Sequence, residues 1–129
     1  MEQKLPFLFK IYNMIYISIV SFCIAGLLGT FIITKVVGGK PISNPLKNIH
    51  AVIAFVGLIV ITIYMFQIEY VSYYLRYSLG LFIVAGFLGF FALRPYKPED
   101  RRPQIFALLH ALTAVGGLMM LFVYWALYL

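Results

Sequence analysis

The chain has 129 residues, of which 64% are hydrophobic and only 11% are charged, and its mean hydropathy is +0.99. A soluble domain of this size cannot bury so much apolar surface, so the composition excludes a soluble globular protein and indicates that the lipid bilayer is its solvent. The formal net charge of +6 does not indicate nucleic acid binding, because the basic residues concentrate in the connections between apolar segments.

Four apolar segments follow one another along the chain, separated by charged residues. They span Ile11–Thr34, Ile49–Ile68, Tyr77–Leu93 and Ile105–Leu129. Each is close to the ~20 residues that a helix needs to cross a bilayer, and only helices satisfy the backbone of such segments in lipid. No small-residue cleavage site follows the first segment, so we expect a permanent helix and not a signal peptide. The sequence predicts an all-α integral membrane protein, a four-helix transmembrane bundle forming a single domain over residues 1–129.

The second half of the chain repeats the first at an offset of 60 residues, without a gap. AGLLG at 25–29 falls on AGFLG at 85–89, and the second helix of each half carries the same His, Ala, Gly and Tyr pattern. The chain is thus predicted to consist of two tandem two-helix repeats, about 11–68 and about 77–129. Because each repeat has an even number of helices, both enter the membrane in the same orientation, related by a pseudo-two-fold axis along the membrane normal.

The only two histidines, His50 and His110, occupy equivalent positions of the two repeats. An ionisable residue within a membrane segment is a candidate functional residue, and the symmetry places these two at equal depth on diagonal helices. Positions +4 and +7 lie about 40° and 20° from the histidine around a helix. Both stripes therefore carry small residues, which we expect to leave a flat hollow beside the imidazoles. These residues are Ala54, Gly57, Ala114 and Gly117.

Two imidazoles in an apolar hollow match a haem with two histidine ligands, because the porphyrin needs a flat apolar cavity. Zinc or copper would want further Cys, His or carboxylate ligands, which the helices do not offer. We therefore expect one haem b, or a related tetrapyrrole, per chain, with His50 and His110 as metal ligands and no catalytic residue. The other ring N–H is expected to bond the carbonyl four residues back, at Leu46 or Phe106.

Basic residues flank the histidine end of the predicted bundle. Loops 35–48 and 94–104 hold seven Lys and Arg residues, against three on the opposite side. By the positive-inside rule both loops face the cytoplasm and both termini lie outside, as in a prokaryotic inner membrane. Lys47, Arg94 and Arg101 are the predicted partners of the haem propionates, assisted by the dipoles of the helix N-termini. Tyr64 and Tyr124, further along the histidine stripes, indicate either a second polar site or interfacial anchors.

With one histidine on its second helix and one on its fourth, the chain resembles one half of haem A synthase. That resemblance implies one haem between His50 and His110. The catalytic half of that family carries a glutamate four residues before its first histidine, where this chain has Leu46. The chain also resembles the four-helix dihaem b cytochromes, which use four histidines for two haems.

These features predict a membrane haem protein acting in electron transfer with a quinone or a respiratory partner. With both axial positions filled, the iron has no open site, which favours electron transfer over oxygen chemistry. Three alternatives stay open: a haem-modifying enzyme, a non-catalytic pigment-binding or structural subunit of a bioenergetic complex, and a transporter or assembly factor. A homo-oligomer is compatible with the sequence, and membrane lipid is the expected surrounding.

Overall fold

A computed structural model describes the backbone of residues 4–94 and 101–129, and the side chains of 12–94 and 101–129. Most of the predicted loop 94–104 (residues 95–100) lies outside the described residues. The helices are α1 (Lys4–Val37), α2 (Asn44–Gln67), α3 (Tyr73–Ala92) and α4 (Arg102–Tyr128). All four are long and apolar enough to cross a membrane. The chain is an all-α integral membrane protein built as a four-helix bundle, as the sequence predicted.

The helices begin earlier than the apolar segments suggested. The helix α2 starts at Asn44, with a proline in its first turn, and α4 starts at Arg102 in the same way. Proline is favoured there because its missing N–H would have no helical partner anyway. His50 consequently lies six residues inside α2, about 9 Å along its axis at 1.5 Å per residue. It therefore lies within the stretch of α2 that is long and apolar enough to cross a membrane.

The helix α1 ends in a glycine turn that leads to α2. Gly39 has a φ of 63°, a left-handed conformation that glycine adopts without strain. The amide of Lys40 donates to the carbonyl of Lys35 at 2.8 Å, and that of Gly39 to Val36 at 3.1 Å. This pattern is a Schellman motif, which satisfies the last carbonyls of the helix. At the other end of the bundle Ser72 caps α3 by accepting a hydrogen bond from the amide of Leu75 at 3.4 Å.

In cross-section the four helices form a ring. Within the described residues α1 packs against α2 and α4, and α3 packs against α4 and α2, with the closest packing inside each two-helix unit. The helices α2 and α4, which carry the histidines, are therefore diagonal to each other, as are α1 and α3.

Equivalent residues of the two units make the same contacts, 60 positions apart. The hydroxyl of Ser18 donates to the carbonyl of Gly57 at 3.0 Å, and that of Ser78 donates to Gly117 at 2.8 Å. Other residues meet their own equivalents across the bundle centre. The rings of Phe22 and Phe82 stack with centroids 3.7 Å apart, and the hydroxyls of Tyr64 and Tyr124 are 2.7 Å apart. The contacts follow the pseudo-two-fold axis that the repeat implies.

The close-packed core occupies only the half of the bundle in which α1 and α3 begin. Its buried residues there are Ile15, Ile19, Phe22, Ile61, Tyr64, Leu75, Phe82, Leu121 and Tyr124. Tyr64 and Tyr124 are 2% and 4% exposed, so they are core residues and not interfacial anchors. Because each hydroxyl has the other as its partner, neither is left unsatisfied, and the buried pair joins α2 to α4.

Candidate functional site

The other half of the bundle encloses a cavity of about 440 Å³. This volume is in the range of small-molecule and cofactor sites. The stacked rings of Phe22 and Phe82 close the cavity on the side of the packed core. Five residues that the sequence singled out line it, namely His50, His110, Ala54, Ala114 and Lys47.

Each histidine is held by a backbone carbonyl of the neighbouring helix in its own unit. The Nδ1 of His50 lies 2.9 Å from the carbonyl oxygen of Ala25, and the Nδ1 of His110 lies 2.7 Å from that of Ala85. A carbonyl oxygen can only accept, so Nδ1 carries a hydrogen in both rings, and in a neutral ring Nε2 then keeps a free lone pair. A ring nitrogen prepared in this way by a hydrogen bond on the opposite nitrogen is the usual form of a metal-binding histidine.

The partners of the two imidazoles differ from those expected from the sequence. The sequence predicts carbonyls four residues back on the same helix, those of Leu46 and Phe106. The structure instead places the ring of His50 against α1 and that of His110 against α3. A hydrogen bond to another helix fixes both the ring orientation and the packing of the two helices.

Two glycines make room for the imidazoles. A Cβ added at Gly29 would lie 3.1 Å from Cε1 of His50, and one added at Gly89 would lie 2.9 Å from Nδ1 of His110. Each repeated AGxLG motif therefore supplies a carbonyl acceptor through its alanine and the necessary space through its last glycine. From the sequence, the glycines of these motifs either bring helices close together or admit a planar ligand, and no role in holding the imidazoles was predicted. The sequence did contain a signal for this role, because the alanine of each motif precedes the histidine of the same unit by 25 residues.

Gly57 and Gly117 have a different role from the one predicted. The sequence suggested that they give clearance to a cofactor, but neither lines the cavity. A Cβ at Gly57 would lie 3.2 Å from the ring of Phe22, and one at Gly117 would lie 3.1 Å from that of Phe82. These glycines make room for the stacked phenylalanines, so they support the floor of the cavity.

The spacing of the two imidazoles suits one shared metal ion. Their ring centroids are 5.9 Å apart, with the ring planes at 75°. Two Nε2 ligands at about 2.0 Å on opposite sides of one ion would put the centroids roughly 6 Å apart. Across the described residues no group of three or more His, Cys, Asp and Glu side chains could hold a metal ion.

The predicted basic residues lie at the same end of the bundle, but only one reaches the cavity. Lys47 is among the lining residues. The guanidinium of Arg94 packs over the rings of Phe90 and Phe91, 5.2 and 5.1 Å from their centroids. Arg101 is exposed immediately before α4 and does not line the cavity. Of the three, Lys47 alone is placed to meet an anionic group of a ligand inside the cavity.

These features define a small four-helix integral membrane protein with a pair of histidines facing one cavity across a pseudo-two-fold axis. Comparisons with protein-family models, with curated proteins and with solved structures find no match for this chain. The geometry of the cavity is consequently the basis for assigning a function.

Proposed function

We propose that the chain is a membrane b-type cytochrome that holds one haem b between His50 and His110 and serves single-electron transfer. The observation that carries the proposal is the pair of hydrogen bonds from Nδ1 to the carbonyls of Ala25 and Ala85. In the neutral rings they leave an unprotonated Nε2, and the centroid spacing of 5.9 Å suits one shared ion. Haem supplies a one-electron change between its ferric and ferrous states.

The residues around the cavity match what such a cofactor needs. Small side chains, Ala54 and Ala114 among them, leave flat apolar walls, and the phenylalanine floor limits access from the packed half. Lys47 would meet a propionate, since a basic group is the partner that a carboxylate in a largely apolar site requires. With two protein ligands on the iron, no position is left for oxygen or substrate, which favours electron transfer over chemistry at the metal.

The proposed orientation follows from the charges. Seven Lys and Arg residues in loops 35–48 and 94–104 against three on the other side favour a cytoplasmic position for the histidine end. Both termini would then lie outside a prokaryotic inner membrane. The proposed electron partner is a membrane quinone or a respiratory subunit.

The visible spectrum tests the proposal. The protein is produced with haem supplied, purified in detergent, and measured oxidised and dithionite-reduced. We expect a low-spin reduced spectrum, lost in both His50→Ala and His110→Ala and kept in the control Thr62→Ala. Thr62 lies on α2, donates to the carbonyl of Leu58 on its own helix, and does not itself line the cavity.

Two results would reject this function. One is a colourless protein that takes up no added haem. The other is a low-spin spectrum that persists in either histidine variant, since the proposal needs both ligands. A bound chlorin would indicate a pigment-binding subunit instead.

A further inference from the structure

The cavity wall departs from two-fold symmetry at a few positions. Most lining pairs 60 residues apart are identical or similar, as with the histidines and alanines. The bulk differs strongly between Thr30 and its equivalent Phe90, between Val115 and its equivalent Phe55, and between Ile32 and its equivalent Ala92. In the first two pairs one member is a phenylalanine and the other a much smaller side chain.

The two phenylalanines lie on the same side of the cavity. On α2, Phe55 lies about 160° around the helix from Gly57, which is next to Phe22 of α1. On α3, Phe90 lies about 120° around the helix from Ser78, which donates a hydrogen bond to Gly117 of α4. In the ring of helices both phenylalanines therefore border the side between α2 and α3, and their equivalents Thr30 and Val115 border the side between α4 and α1. All four are exposed, Phe90 at 61%, Phe55 at 60% and Val115 at 57%. Both lateral edges of the cavity thus lie at the surface of the bundle, one beside two phenylalanines and the other beside two smaller side chains.

We infer that the pairs Thr30/Phe90 and Val115/Phe55 determine which of two orientations the haem adopts in the cavity. This inference rests on the proposed function. A half-turn about the pseudo-two-fold axis exchanges His50 and His110, so two seatings of haem b have the same iron ligands. The two seatings exchange the lateral edges of the macrocycle. They also exchange a vinyl and a methyl group at the edge opposite the propionates, but the equivalent residues Phe22 and Phe82 at that end give little basis for selection. One edge of haem b carries two methyl groups, and the other carries a methyl and a vinyl group.

We expect the bulkier vinyl edge on the side of Thr30 and Val115, because the side chains there are smaller, and the methyl edge on the side of Phe55 and Phe90. Lys47, whose equivalent is Ala107, does not select between the seatings, because both present the propionates to the same end. One extra carbon in a packed site has a modest effect, so we expect the favoured seating to exceed the other about fivefold.

Proton NMR of the oxidised protein in detergent measures this ratio, because each seating gives its own set of shifted haem methyl resonances. The variant Thr30→Phe/Val115→Phe gives both edges the same bulk, and we expect a ratio near one. Adding Phe55→Val and Phe90→Thr exchanges the two edges, and the ratio should invert. Thr34→Phe is the matched control, since Thr34 is exposed one turn beyond Thr30 and does not line the cavity. It should keep the wild-type ratio.

The outcomes separate this inference from the proposed function. A protein that binds no low-spin haem rejects both. A protein that binds haem with equal seatings, or with a ratio that the exchanged variant does not invert, rejects the orienting role alone. A haem whose vinyl groups are replaced by methyls has identical edges, so it must give one set of resonances in every variant. A second set with that haem would show that the doubling has another origin and overturn the inference.

Discussion

The substitution Gly89→Ala tests how the site holds its histidine. A Cβ at this position would lie 2.9 Å from Nδ1 and 3.2 Å from Cε1 of His110. A non-bonded contact shorter than 3.0 Å is essentially never found for a Cβ atom, so the imidazole of His110 must move. The movement withdraws Nδ1 from the carbonyl of Ala85, now 2.7 Å away, and turns Nε2 away from its position.

The expected effect on binding is large and the effect on folding is small. Loss of such an orienting hydrogen bond costs about 10- to 100-fold in metal affinity, or about 1.4 to 2.8 kcal/mol. In the protein without haem, the imidazole of His110 can move into the cavity that it lines, whereas Phe82 beside Gly117 is part of the packed core. The cost is then the lost hydrogen bond, about 1 kcal/mol, while alanine in place of glycine within a helix gains up to about 1 kcal/mol. We therefore expect weaker haem binding with little change in the free energy of unfolding.

Haem titration of the detergent-solubilised protein gives the affinity, and unfolding followed by circular dichroism gives the stability. Gly29→Ala should show a smaller loss of affinity, because its Cβ would lie 3.1 Å from Cε1 of His50 and 3.6 Å from Nδ1. Gly80→Ala is the control on α3, since nothing lies within 4 Å of its Cβ and it does not line the cavity.

A Gly89→Ala protein with wild-type affinity and an unchanged low-spin spectrum would refute this reasoning. The hydrogen bond to Ala85 would then not be what orients the ligand. An equal loss of haem affinity in Gly80→Ala would show that any glycine-to-alanine change in α3 has this effect, whether or not it is next to His110.

Three further changes concern the packed half and can be measured by unfolding in detergent. Tyr64→Phe should destabilise by about 1–3 kcal/mol, because it leaves the buried hydroxyl of Tyr124 unpaired. The double variant Tyr64→Phe/Tyr124→Phe should lose less stability than the sum of the two single variants. Strictly additive losses would contradict the hydrogen bond between the two hydroxyls. Gly117→Ala should cost about 1–3 kcal/mol by overpacking against Phe82 and should disturb the cavity floor. Ser78→Ala should cost only about 0.6 kcal/mol, typical of hydrogen bonds between membrane helices, so a loss of several kcal/mol would show another role.

The four helices and the proximity of His50 to His110 could be predicted from the sequence, because both follow from regular patterns in it. Apolar length identifies a membrane helix, and the 60-residue repeat relates equivalent positions by symmetry. The start of α2 at Asn44 could not be read from hydropathy, because its first turn is polar. A proline in the first turn is the signal there, and it applies equally to α4.

The details of the site needed the fold. Helical geometry alone places a carbonyl four residues behind each histidine, whereas Ala25 lies on another helix and becomes a partner only when α1 packs against α2. The same holds for Gly57, which shares the stripe of His50 but faces Phe22. Sequence spacing shows which residues share a face, but not which neighbour fills the space beside a glycine.

The contacts on the axis have a consequence for the origin of the fold. His50, Phe22 and Tyr64 each meet their own equivalents, which is how identical subunits meet in an isologous dimer. Two separate copies of a two-helix hairpin would make the same three contacts and enclose the same cavity. Joining the hairpins in one chain adds something a homodimer cannot have. It lets the two copies of one position diverge. Lys47 and its equivalent Ala107, which both line the cavity, have diverged in this way.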